Sequence, residues 1–190
     1  MQIKLSNKDQ GIFVFQLDQN NYIKFCPERG GVITNWVSDG KEILYFDEKR
    51  FMDKTKSIRG GIPILFPICG NLKTSNSVFG TDYLKLTQHG FARDLQWQYS
   101  SNIKKKSLCL FLNESKNTKK YYPFDFELRI EITLKINCLE FEITIFNKTD
   151  IAMPINFGLH PYFNVSDLKN LEFIDNPLNC QNQEKNIISN

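Results

Sequence analysis

Histidine is scarce in this sequence, with only His89 and His160 among 190 residues. That scarcity argues against a zinc site, which draws several His or Cys ligands at short spacing, and no paired carboxylates adjoin either His to suggest another metal. Cysteine offers no alternative. Cys26, Cys69, Cys109, Cys138 and Cys180 are odd in number and nowhere spaced Cys-x-x-Cys, so reduced, buried thiols are expected rather than a disulfide framework. Neither sign of charge is in excess: 24 basic and 21 acidic residues leave +3, too balanced for a nucleic-acid or anionic-membrane partner, so any anion site must be local. No apolar run approaches the roughly 20 residues of a membrane span. Met1 to Gln10 lack the apolar stretch behind basic residues that marks a signal peptide. The expectation is a cytoplasmic protein.

What the sequence does have is alternation. From Phe126 to Ile136, apolar Phe126, Leu128, Ile130, Ile132, Leu134 and Ile136 alternate with polar residues, the period of a half-buried strand. After Asn137 and Cys138 the pattern resumes with Leu139, Phe141, Ile143 and Ile145, as across a two-residue hairpin turn. Pairing Ile136 with Leu139 sets Leu134 against Phe141 and Ile132 against Ile143, with Lys135 facing Glu140. Shorter strands are expected at Ile12 to Leu17, Tyr22 to Cys26, Val32 to Val37, Glu42 to Phe46 and Leu108 to Leu112. Helix is expected only near Glu48 to Asp53 and Ser166 to Leu171. Many short strands between polar turns predict an all-β antiparallel sandwich, a single domain over 1–190. The Asn- and Gln-rich tail at 176–190 is expected to fray.

Three segments could carry chemistry. His89 lies in Gln-His-Gly-Phe-Ala-Arg and His160 in Gly-Leu-His-Pro-Tyr-Phe. Taken alone, each is either a structural His among apolar neighbours or an acid-base group. Arg59 opens Arg-Gly-Gly-Ile-Pro-Ile-Leu-Phe-Pro-Ile-Cys-Gly, too rich in Gly and Pro for a regular strand. Its fork of donors beside glycines suits a carboxylate or phosphate, and the plainer alternative is a tight turn with a surface Arg. Arg93 allows an equally plain alternative, an ion pair with Asp94.

Taken together, Arg59 to Gly70, His89 to Arg93 with Trp97, and Leu159 to Phe163 resemble, in order and spacing, the motifs of the hexose-6-phosphate mutarotases (glucose-6-phosphate 1-epimerases), a branch of the aldose 1-epimerase family. Gly30-Gly31-Val32-Ile33-Thr34-Asn35-Trp36, Ile43-Leu44-Tyr45, Tyr122-Pro123-Phe124-Asp125-Phe126 and Asn147 extend the resemblance from about Gly30 to Asn182. It implies a galactose mutarotase-like supersandwich, incomplete at the C-terminus, and interconversion of the α and β anomers of a hexose 6-phosphate without metal or other cofactor. His160 is then the acid at the ring oxygen, His89 a stabiliser of charge developing there, and Arg59 and Arg93 the partners of the phosphate of a small-molecule sugar phosphate. Trp36, Phe66, Trp97 and Tyr162 are expected as core or pocket wall. Two departures stand out. Ile68 and Cys69 occupy the place of a common aromatic pair, and the family's general-base Glu and a substrate-binding Asp have no counterpart, since Glu172 and Glu184 lie in the wrong part of the pattern. A sugar-phosphate-binding module without catalysis is the alternative expectation.

Overall fold

The computed structural model describes residues 3–8, 10–72, 86–170, 180–182 and 187–189. The first five strands, β1 (Ile3–Asn7), β2 (Ile12–Gln16), β3 (Tyr22–Cys26), β4 (Val32–Ser38) and β5 (Lys41–Glu42), pair in sequence order as an antiparallel sheet. A single-turn helix, α1 (Glu48–Met52), is started by Asp47, whose side chain accepts from the Arg50 N–H at 2.9 Å. After the short β6 (Ile64–Leu65), β7 (Gln98–Asn102), β8 (Ser107–Asn113), β9 (Phe126–Lys135) and β10 (Cys138–Asn147) form a second antiparallel sheet. The chain then returns through β11 (Gly158–Leu159) to pair with β6. The segment expected to fray lies mostly outside the described residues; within it, β12 (Cys180–Asn182) and β13 (Ile187–Ser189) pair with each other.

The two large sheets share one core. Phe15, Ile23, Phe25 and Ile33 from the first meet Leu108, Leu110, Leu112, Leu128, Ile130, Ile132 and Leu134 from the second. Every inward residue of β9, from Phe126 to Leu134, is fully buried, which is what its strict alternation demands. The fold is therefore an antiparallel sandwich with almost no helix, as the alternation indicated.

β1 and β7 form where no strand is expected from the sequence, and two expected elements differ in detail. The hairpin register is displaced by two residues: Leu139 pairs with Leu134 and Phe141 with Ile132, leaving Ile136 and Asn137 as the turn. Asn137 takes φ +58°, a conformation Asn tolerates better than most residues, and its N–H donates to Ser38 Oγ on the facing sheet at 3.0 Å. A shift of two preserves both faces. Lys135 and Glu140 still meet at 2.6 Å, now diagonally. The strand expected over Glu42 to Phe46 stops at Glu42, because its carboxylate accepts from the N–H groups of Trp36 at 3.0 Å and Leu44 at 3.1 Å and replaces ladder bonds there. Leu44 and Phe46 then form single bridges to Phe163 and Gly60.

The fold gathers the three motif segments around β6. Leu159 pairs with Ile64, the His160 N–H donates to Pro63 O at 3.0 Å, and the Tyr162 N–H to Gly61 O at 2.9 Å. On the other side Phe66 bridges Gly90, and the Phe91 N–H reaches Phe66 O at 3.0 Å. Gly90 sits at φ +72°, where a Cβ would lie 2.2 Å from Phe66 O, so only glycine permits this approach. No helix among the described residues is long and apolar enough to cross a membrane.

Candidate functional site

Beside this junction lies an open cleft of about 460 Å³ lined by Arg59, His89, Arg93 and His160, with Ser57, Cys69, Gln88 and Tyr162 completing its polar wall. All four residues singled out in the sequence thus face one space. The imidazoles of His89 and His160 stand 6.0 Å apart between centroids, nearly edge to face at 71°. His160 is exposed and its ring lies 4.9 Å from that of Tyr162, which forms part of the wall.

His89 is held more firmly. Its backbone adopts φ +69°, its N–H donates to Gly70 O at 2.8 Å, and its Nδ1 accepts from the Gly70 N–H at 2.9 Å. An Nδ1 that accepts must be unprotonated, so the neutral ring carries its hydrogen on Nε2 as a donor. Burial pushes the His89 pKa below its ordinary 6.5, and the neighbouring charges of Arg93 and His160 push in the same direction. The result is a neutral donor at near-neutral pH.

The two arginines differ in freedom. Arg59 is exposed at the cleft rim, with no hydrogen bond or ion pair for its guanidinium among the described residues. Arg93 is largely sheltered, its side chain 19% exposed, and donates from one terminal nitrogen to Gln88 O at 2.8 Å. Asp94 approaches Arg93 Nε only to 3.8 Å, and that buried Nε has no hydrogen-bond partner among the described residues. The plain ion-pair reading of Arg93 therefore describes a loose contact. Among the described residues no carboxylate lines the cleft.

The expected core aromatics divide. Trp97 and Phe66 are buried in the sandwich, and Trp97 Nε1 donates to Ala92 O at 2.9 Å, directly beneath the turn that bears Arg93. Trp36 is half-buried and does not reach the cleft. Sequence reading singles out neither Ser57 nor Gln88, both of which line it; their one legible signal is adjacency to the Arg59 and His89 motifs. Cys69, at the position of the expected aromatic pair, faces the cleft, while Ile68 is buried.

Comparison with known proteins gives a consistent picture. A family model described as aldose 1-epimerase matches residues 14–187. A protein of Cenchrus ciliaris named "Putative glucose-6-phosphate 1-epimerase" is 31% identical over 167 residues, 77% of this chain and 47% of its own length. One of the same name from Escherichia coli K12 is 28% identical, with 74% and 44% covered. Among solved structures, the Slr1438 protein of Synechocystis sp. PCC 6803 superimposes with a TM-score of 0.72 at 41% identity, covering 79% of this chain and 54% of that one. A galactose mutarotase-like protein of Lactobacillus casei gives 0.67 at 27% identity, covering 82% and 50%. The chain spans about half the length of the curated relatives it matches.

Proposed function

Given that the chain belongs to the aldose 1-epimerase family, we propose that its cleft binds a hexose 6-phosphate and interconverts the α and β anomers. The carrying observation is the pair of imidazoles 6.0 Å apart in an open cleft that two guanidiniums also line. Arg59, free at the rim, and Arg93 receive the phosphate dianion through charge-assisted hydrogen bonds, and so favour phosphorylated over free sugars. Opening the pyranose breaks the bond from C1 to the ring oxygen, which gains a proton as the C1 hydroxyl loses one and becomes a carbonyl. His160, reached by water, delivers the proton to the ring oxygen. The Nε2–H of His89 donates to the same oxygen and stabilises the charge that develops as the bond lengthens. Rotation about C1–C2 and reclosure return both protons and give the other anomer.

The proton leaving the C1 hydroxyl passes to water, which reaches the open cleft; among the described residues no carboxylate lines its wall. The proposal is tested with freshly dissolved α-glucose 6-phosphate, following anomer exchange by NMR. Exchange faster than in buffer, lost on His160→Ala, supports it. Exchange at the buffer rate despite binding refutes the catalytic half and leaves a sugar-phosphate-binding cleft.

A further inference from the structure

Arg29 lies outside the cleft, yet it contacts the segment that leads to one of the cleft's arginines, and its neighbour Gly30 packs on the turn that carries the other. Its guanidinium donates to three backbone carbonyls at the end of α1 and in the turn that follows: Phe51 O, Asp53 O at 3.4 Å and Lys56 O at 2.6 Å. The same group stacks over the Phe51 ring at 4.8 Å. Lys56 stands three residues before Arg59, and the intervening Ser57 is fixed by Arg50, whose Nε donates to Ser57 O at 2.9 Å. The far end is fixed too, because Arg59 O accepts from the Asp47 N–H at 3.0 Å. These bonds leave from two nitrogens held apart in one rigid plane, Nη1 toward Phe51 O and Nη2 toward Asp53 O and Lys56 O; a Lys ammonium has three donors as well, but all on a single nitrogen, and cannot reproduce that geometry.

Gly30 makes the second connection. It sits at φ +73° against the Arg93 backbone, where a Cβ would fall 2.2 Å from Arg93 O, and its N–H donates to Leu95 O at 2.7 Å. Pro27 O accepts from the Trp97 N–H at 2.8 Å, tying the same segment to the end of that turn. Asp94 and Arg29 line one recess on this side of the molecule, so the two connections are contiguous.

We infer that Arg29 is a positioning residue for phosphate recognition: with Gly30 it forms a brace that sets the Arg59 loop against the Arg93 turn. The inference rests on the reading of Arg59 and Arg93 as the phosphate partners. A dianion held by two guanidiniums is sensitive to their separation, whereas the hydroxyls of a free hexose do not engage that rim. Loosening the brace therefore weakens phosphorylated sugar selectively.

The test is Arg29→Lys, which keeps the positive charge and removes the fork, with Arg29→Met beside it and Arg59→Gln as reference. Dissociation constants for glucose 6-phosphate and for glucose are measured by NMR titration, with melting curves for every variant. Arg29→Lys is expected to weaken glucose 6-phosphate about tenfold, the scale of one misaligned charge-assisted contact, and glucose less than about twofold. Arg29→Met is expected to do the same or more. Equal weakening of both sugars, no weakening of either, or unfolding of both variants overturns the inference and leaves Arg29 a structural residue. If Arg59→Gln itself keeps the preference for glucose 6-phosphate, the underlying reading of the rim fails. A preference lost in Arg59→Gln but kept in Arg29→Lys overturns the brace alone.

Discussion

Replacing His89 by Ala or by Asn separates its structural role from its chemical one. The native residue holds φ +69° and accepts the Gly70 N–H on Nδ1 at 2.9 Å. Asparagine tolerates the left-handed region and presents Oδ1 at a similar distance from the backbone, so His89→Asn keeps both features while losing the ring with its Nε2–H. Alanine keeps neither. It faces about 1 kcal/mol for the positive φ and about 1 kcal/mol for the lost hydrogen bond, the lower end of the range because water can enter the open cleft. The difference between the variants is thus about 2 kcal/mol in favour of Asn. For a chain of this size that corresponds to roughly 4–8 °C in Tm. Urea unfolding followed by circular dichroism gives the free-energy difference, and differential scanning calorimetry gives Tm. Equal stability of the two variants within about 0.5 kcal/mol would refute the claim that Nδ1 is engaged by Gly70 and, with it, the assignment of the hydrogen to Nε2.

Two other outcomes follow from the same region. His89 is held below its ordinary pKa of 6.5, first by burial and then by the charges of Arg93 and His160, so the folded state binds fewer protons than the unfolded one as pH falls. Its contribution is complete above 6.5 and is lost as pH drops through the depressed folded value, so Tm should fall across that window in wild type and fall less in His89→Asn; parallel curves would contradict the shift. Gly90→Ala combines φ +72° with a Cβ 2.2 Å from the Phe66 carbonyl oxygen, a backbone atom that cannot turn aside. It is expected to cost at least about 3 kcal/mol in urea unfolding, and a cost below about 1 kcal/mol would mean that the β6 junction shifts freely.

The sandwich was legible because β9 and β10 alternate without interruption, and an alternating strand has one way to bury its apolar face. The turn between them was not. Ile136 continues the apolar period, yet the chain turns at Ile136 and Asn137, where Asn137 accepts a left-handed φ and is pinned to Ser38, 99 residues away. No local pattern carries a contact of that span. Glu42 to Phe46 misleads for a related reason, since a carboxylate that accepts two backbone N–H groups ends a ladder the apolar residues would continue.

At the site, periodicity contributed nothing: Arg59, His89, Arg93 and His160 were selected by family resemblance, and their own chemistry left each open to a plainer reading. What brings them to one cleft is the pairing of β11 with β6 and the approach of Gly90 to Phe66, contacts between segments distant in sequence. The partner of His89 Nδ1 is a backbone N–H, which has no side-chain letter to read. Arg29 likewise gives no signal in the sequence, because its three partners are carbonyls.

Whether both imidazoles serve one bound sugar phosphate is read by titrating glucose 6-phosphate into protein labelled with ¹⁵N at the histidine rings. The ring nitrogens of His89 and His160 are both expected to shift, along a common saturation curve, with His89 keeping the tautomer that carries its hydrogen on Nε2. Shifts at one ring alone, two different dissociation constants, or no response at either would contradict that shared role.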